Sequence, residues 1–166
     1  MIILGIDPGL SGALSFINTE TGVVDIHDMP VVEIIRNGKT KREVSAHLVA
    51  DIVSGQSSQI AGAYVERVGA VTGQGVTSVF SFGRSAGILE GVLAACGVPY
   101  VLVTPQAWQK AVGLRGGKDG SRERAMQQFP DQSALFSRKK DNGRADATMI
   151  ALYGAIALYG AKALQK

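Results

Sequence analysis

The spacing of apolar residues changes several times along the chain, and each change marks an element. Residues 2–7 (IILGID) form an unbroken apolar run that stops on a carboxylate, the pattern of a strand buried on both faces. Residues 12–18 (GALSFIN) and 22–29 (GVVDIHDM) read as its antiparallel neighbours, with a turn across 18–22. Residues 30–42 are polar and basic around Asn37-Gly38 and read as a connection. From 43 to 54 the spacing is helical, with Val44, Leu48, Val49 and Ile52 on one side. GAYVE at 62–66 returns to a short strand and again ends in an acid. A glycine-rich loop at 69–75, a helical stretch at 76–96 and a strand at 98–103 follow. Thr104-Pro105, a cap followed by proline at the first position, opens a helix running to about Val112. GLRGGKDGS reads as a loop, Ser121 as the cap of another short helix, and FPDQSALFSRKKDNG as irregular and mobile. The last helix is expected from about 143 to 164.

Three consecutive strands predict an antiparallel meander. The two later strands are each reached through a helix, which favours parallel pairing. The expected fold is therefore α/β: a mixed five-stranded sheet with helices on both faces. With 166 residues, 46% of them apolar, and no internal repeat, residues 1–166 are expected to form a single domain with a real core. The longest uncharged stretch near the C-terminus, residues 147–161, is too short for a membrane span of roughly 20 residues and reads as a buried helix. The start of the chain has no basic stretch before its apolar run, so a secreted protein is not expected. Cys96 stands alone in an apolar stretch and reads as a small buried hydrophobe in a reducing compartment, the cytoplasm or an organelle interior.

Charge sharpens the picture. Net charge is only +3, but residues 110–144 hold nine Lys and Arg (Lys110, Arg115, Lys118, Arg122, Arg124, Arg138, Lys139, Lys140 and Arg144) against four acids. Residues 36–42 add Arg36, Lys39, Lys41 and Arg42 with no acid. Such clustering fits a polyanionic partner, although a solvated surface has the same composition.

Three acids interrupt apolar segments: Asp7 at the end of the first strand, Glu66 at the end of the 62–66 strand, and Asp146 in the first turn of the last helix. An isolated acid in such a place is more often structural. Three at element ends make a stronger set, because buried charge is costly unless something neutralises it. If the two strands are neighbours, Asp7 and Glu66 stand side by side and the last helix can lay Asp146 across them. Hard oxygen ligands without a His or Cys cluster favour Mg²⁺ or Mn²⁺ over Zn²⁺. His27 and His47 lack ligand spacing. A phosphate cradle formed by Gly9 and Gly12 is the competing reading of the first loop. However, G-x-x-x-x-G-K-[ST] and G-x-G-x-x-G are both absent, and an actin-like or sugar-kinase-like ATPase needs a second domain. No nucleotide cofactor is expected.

Asp7-Pro8-Gly9, Tyr64-Val65-Glu66, Phe80-Ser81-Phe82-Gly83, Thr104-Pro105 with Trp108, and Asn142-Gly143-Arg144-Ala145-Asp146-Ala147 follow one another over nearly the whole chain. In that order they resemble the RuvC-like Holliday junction resolvases of the RNase H-like superfamily. The likeness is to the phage-encoded and organellar branch, whose final acid sits in a Gly-Arg-Ala-Asp-type segment. The resemblance implies an RNase H-like fold and a homodimeric endonuclease acting on four-way junction DNA. Paired symmetric nicks would leave 5′-phosphate and 3′-hydroxyl ends. It also implies that Asp7, Glu66 and Asp146 bind two Mg²⁺ ions about 3.5–4 Å apart, with Mn²⁺ a possible substitute. One ion would activate water and the other would stabilise the leaving oxygen. Gly9 would leave room for backbone or substrate beside the ions.

The sequence departs from the family pattern twice. Many bacterial members carry a fourth acid one turn before the last, where this chain has Gly143. The nearest candidate is Asp141, which cannot share a helix face with Asp146 and so must precede the helix. It reads either as a fourth catalytic metal ligand or as a helix-start residue. Second, no aromatic wedge follows Glu66; the run is Arg67-Val68-Gly69-Ala70-Val71. Among the basic residues, Lys118 is expected at the scissile phosphate, as a catalytic and DNA-binding group. Arg115, Arg122, Arg124, Arg138, Lys139, Lys140 and Arg144 are expected on DNA backbone. Phe80 and Phe82 read as packing or dimer residues and Trp108 as core. Another RNase H-like nuclease, acting on an RNA–DNA hybrid or branched DNA, and a non-catalytic junction-binding module remain alternatives.

Overall fold

The computed structural model describes residues 1–36, 38–67, 69, 73, 75–114, 117 and 119–160. Its main sheet contains β1 (Ile2–Asp7), β2 (Ala13–Asn18), β3 (Val24–Asp28), β6 (Ile60–Glu66) and β7 (Tyr100–Val103), in the order β3-β2-β1-β6-β7. β1 pairs antiparallel with β2 and parallel with β6, and β6 pairs parallel with β7. This is the expected mixed five-stranded sheet.

β1 reads as continuous apolar sequence because both its faces are covered. Ile2, Leu4 and Ile6 point into a core shared with α1 (Ala46–Ser54) and α2 (Val76–Ala95). Ile3 points the other way, toward Trp108 of α3 (Pro105–Ala111), Ala125 of α4 (Gly120–Gln128), and Met149 and Ile150 of α5 (Asn142–Tyr159). Gly5 lies on that second face. A side chain there would collide with the backbone of Ala147 and Ala151, so α5 rests directly on β1. Small residues on α5 (Ala145, Ala147, Ala151 and Ala155) permit the approach. A buried hydroxyl pair, Ser15 Oγ and Thr148 Oγ1 at 2.8 Å, joins β2 to the same helix.

Several expectations are corrected. The polar connection is a second, two-stranded sheet, β4 (Val31–Arg36) and β5 (Lys39–Val44), paired from Arg36↔Lys39 to Val31↔Val44. α1 consequently begins only after Ser45, whose side chain accepts from the Leu48 N–H; Leu48 itself is exposed, and Val49 and Val53 form the buried face. Asp119 rather than Ser121 stands at the N-cap of α4. The stretch expected to be irregular holds two 3₁₀ segments, Pro130–Phe136 and Lys139–Asp141, anchored by buried Phe129 and Phe136. α5 ends at Tyr159, and residues 161–166 lie outside the described part. The Thr104 cap is present, with the side chain accepting from Ala107 N–H.

Candidate functional site

The register of the central strands brings the first two acids together. Ile6 sits opposite Val65, so the next residues, Asp7 and Glu66, are neighbours at the C-terminal ends of two parallel strands. In open α/β sheets this is the edge where ligands collect. The close approach of α5 to β1 then adds Asp146 from the first turns of the helix. The three half-buried carboxylates sense one another: Asp146 and Glu66 both raise the pKa of Asp7, and Asp146 raises that of Glu66.

Each carboxylate has a neutral hydrogen-bond donor. Gly9 N–H donates to Asp7 Oδ1 at 3.1 Å. Trp108 Nε1–H donates to Glu66 Oε1 at 3.0 Å. Ser121 hydrogen-bonds Asp146. Burial outweighs these donors, and all three acids are held above the usual carboxylate range. Asp7 is pushed up to about 7, chiefly by burial, against the opposing pull of Gly9 N–H and with the repulsion of Asp146 and Glu66 added. Glu66 and Asp146 rise for the same leading reason.

The loop after β1 also has a different logic from the expected one. A side chain at Gly9 would meet only ordinary contacts, so the role of Gly9 is that of donor to Asp7. Gly12 is the position without room, because a Cβ there would strike the carbonyl of Asp7. An open cleft of about 400 Å³ lies over Asp7 and Asp146, lined also by Ser11, Asn142, Lys139 and Lys140. Among the described residues, no group of three or more His, Cys, Asp or Glu side chains is placed to hold one metal ion as the side chains stand. By donor chemistry, three crowded oxygen ligands of raised pKa still fit hard divalent cations, which would relieve both burial and repulsion.

No family model matches the chain. Over 92 residues it is 34% identical to the chloroplastic Holliday junction resolvase MOC1 of Chlamydomonas reinhardtii, covering 54% of this chain. The match spans 10% of that relative's length. Thermus thermophilus RuvC aligns over 96% of this chain and 97% of its own, with a TM-score of 0.61 and 17% identity. T. thermophilus RuvC in complex with a Holliday junction substrate aligns with a TM-score of 0.59 and 16% identity, over 96% of each chain. The chain has the RuvC fold.

On this RuvC fold, Asp141 does not join the three acids. Its buried carboxylate accepts from the Arg138 guanidinium at 2.8 and 3.1 Å and from the Arg138 backbone N–H at 2.8 Å, with Arg144 3.9 Å away. The Arg138 side chain holds its pKa low. The family position one turn before Asp146 is closed as well, because a Cβ on Gly143 would strike the Ser11 carbonyl.

The basic residues divide into two groups. Arg122 donates to Asp119 and to the carbonyls of Phe136 and Ser137. Arg124 Nε donates to the Val112 carbonyl at 2.8 Å. Arg144 grips both oxygens of Asp28 at 2.6 and 2.7 Å. These guanidinium groups, expected on DNA backbone, tie the chain to itself. Lys139 and Lys140 are exposed and line the cleft. Lys118, Arg115, and Val68, Ala70 and Val71 of the run after Glu66 lie outside the described residues. Phe80 is 68% exposed, so it is not a core residue. Trp108 is core, as expected, but it is also a partner of Glu66. A one-dimensional pattern carries no sign of that second role.

Proposed function

We propose that this chain is a structure-selective, divalent-metal-dependent endonuclease that resolves four-way DNA junctions, with residues 1–166 as one nuclease domain working as a homodimer. The observation that supports it most is the meeting of Asp7, Glu66 and Asp146 at the edge of β1 and β6, with an open cleft over Asp7 and Asp146 that Lys139 and Lys140 also line. The substrate class draws on the junction named for the MOC1 relative and for the RuvC complex. A homodimer supplies two such sites for two opposed strands.

Asp7, Glu66 and Asp146 would hold Mg²⁺, with Mn²⁺ a substitute, and the ions would supply an activated water and neutralise charge on the leaving oxygen. The chain's own groups orient that set. Gly9 N–H and Trp108 N–H each occupy one carboxylate oxygen and so direct the other outward. Lys139 and Lys140 position the phosphate backbone without reading sequence. No described helix is long and apolar enough to cross a membrane. The proposed setting is the interior of a bacterial or phage-infected cell, or of an organelle.

Asp7→Asn tests the reading. It should abolish cutting of a four-way junction in Mg²⁺ while leaving junction binding within about threefold. Binding lost together with cutting would point to a structural Asp7.

A further inference from the structure

The basic β4–β5 hairpin stands apart from the acid site in sequence but not in space. Lys41 and Arg42 of β5 and the first turns of α2 line an open groove of about 400 Å³. Its other wall carries the hydroxyls of Thr77, Ser78 and Ser81. Leu10, three residues beyond Asp7, also lines it. A narrower hollow of about 60 Å³ continues the same wall toward Arg36. Lys41, Arg42, Thr77, Ser78 and Ser81 are all exposed. Glu43, the acid next to them in the strand, is already taken by Arg84. The groove therefore presents cations and hydroxyls, with apolar Leu10 and Phe82 beside them. That combination suits phosphodiester oxygens and the sugars between them.

We propose that this groove binds the phosphodiester backbone of a DNA strand and leads it, past Leu10, to the carboxylates at Asp7. The hairpin thus acts as a second DNA-holding element, separate from Lys139 and Lys140. The inference rests on the nuclease reading for the nature of the polyanion, but it is measured by binding alone.

The test is fluorescence anisotropy of a labelled immobile four-way junction and of a linear duplex in EDTA, across salt, for wild type, K41A/R42A and the surface control Q59A. A separate cleavage assay in Mg²⁺ uses the same proteins. K41A/R42A is expected to weaken junction binding tenfold or more near 0.1 M salt. It should also flatten the dependence of log K on log salt by about 2, close to 0.9 per lost phosphate contact. Q59A should match wild type, and thermal melts should show both variants folded. Unchanged affinity and slope in K41A/R42A, with wild type binding and cutting normally, would overturn the groove and leave the nuclease standing. Weakened binding with no cutting by wild type would support the groove and remove the nuclease. A variant that alters only the oligomeric state would assign this face to a second copy of the chain and overturn the proposal.

Discussion

The indole N–H of Trp108 reaches the Oε1 of Glu66 at 3.0 Å, across from α3 to the end of β6. The ring is 1% exposed, so the bond is made where water does not compete freely. It fixes which oxygen of Glu66 is held. Outer groups of this kind commonly change metal affinity 10–100-fold. Trp108→Phe keeps most of the packing and removes the donor. It should lower Mn²⁺ affinity roughly tenfold, read by electron paramagnetic resonance of free Mn²⁺, while the melting temperature falls only slightly. Because Trp108 is the only tryptophan, its emission offers a second readout. Metal should shift that emission in wild type and not in Glu66→Gln.

Asp7 predicts an unusual pH dependence. Burial first, and then the nearby Asp146 and Glu66 charges, raise it to about 7 against the pull of Gly9 N–H. In the unfolded chain it ionises near its ordinary value of about 3.9. Between those values the folded, metal-free protein keeps a proton that the unfolded chain has lost. The Asp7 contribution to stability therefore falls as pH rises from about 4 to about 7, and is flat above. In EDTA at pH 8, Asp7→Asn should melt higher than wild type by roughly 5 °C, and the gap should close toward pH 4. Mg²⁺ at pH 8 should raise the melting temperature of wild type and not of the variant, and cutting should rise with pH through about 7.

Asp141 separates structure from metal binding. Its carboxylate is buried and held by Arg138, with Arg144 behind, and Arg144 in turn grips Asp28. Asp141→Asn should lower the melting temperature clearly and leave the Mn²⁺ affinity of the folded protein within about threefold of wild type. A folded, equally stable variant that lost metal binding would make Asp141 a ligand.

Gly143 is the position at which a fourth acid was to be looked for. The helix start lies so close to Ser11 that any side chain must displace one or the other. Gly143→Ala should cost about 1–3 kcal/mol through forced displacement, measured by urea unfolding. Gly143→Asp should be no better as a nuclease than wild type.

The most legible part of the molecule was the part that repeats along the chain. The unbroken run before Asp7 and the short strand before Glu66 could be recognised because both strands are buried on two faces. The helix before the second strand favours a parallel direction, but only the register shows that it lies beside the first. The β4–β5 hairpin was missed although Asn37-Gly38 between VVEIIR and KTKREV is a hairpin signal. Its dense charge concealed the alternation, and its sheet is separate from the main one. The 3₁₀ segments around Phe136 were missed because their order comes from two buried rings, Phe129 and Phe136, rather than from a period. Contacts made through folding were not legible at all. Nothing in the spacing shows that Trp108 meets Glu66, or that Arg122, Arg124 and Arg144 find carbonyls and Asp28 while Lys139 and Lys140 face the cleft.

The most direct measurement is cleavage of an end-labelled, immobile four-way junction beside a linear duplex and an RNA–DNA hybrid, in Mg²⁺ and in EDTA. The account predicts paired, symmetric nicks in the junction alone, only with Mg²⁺, leaving ends that a ligase seals. Cutting of the hybrid in preference to the junction, or tight junction binding with no cutting in Mg²⁺ or Mn²⁺, would contradict it.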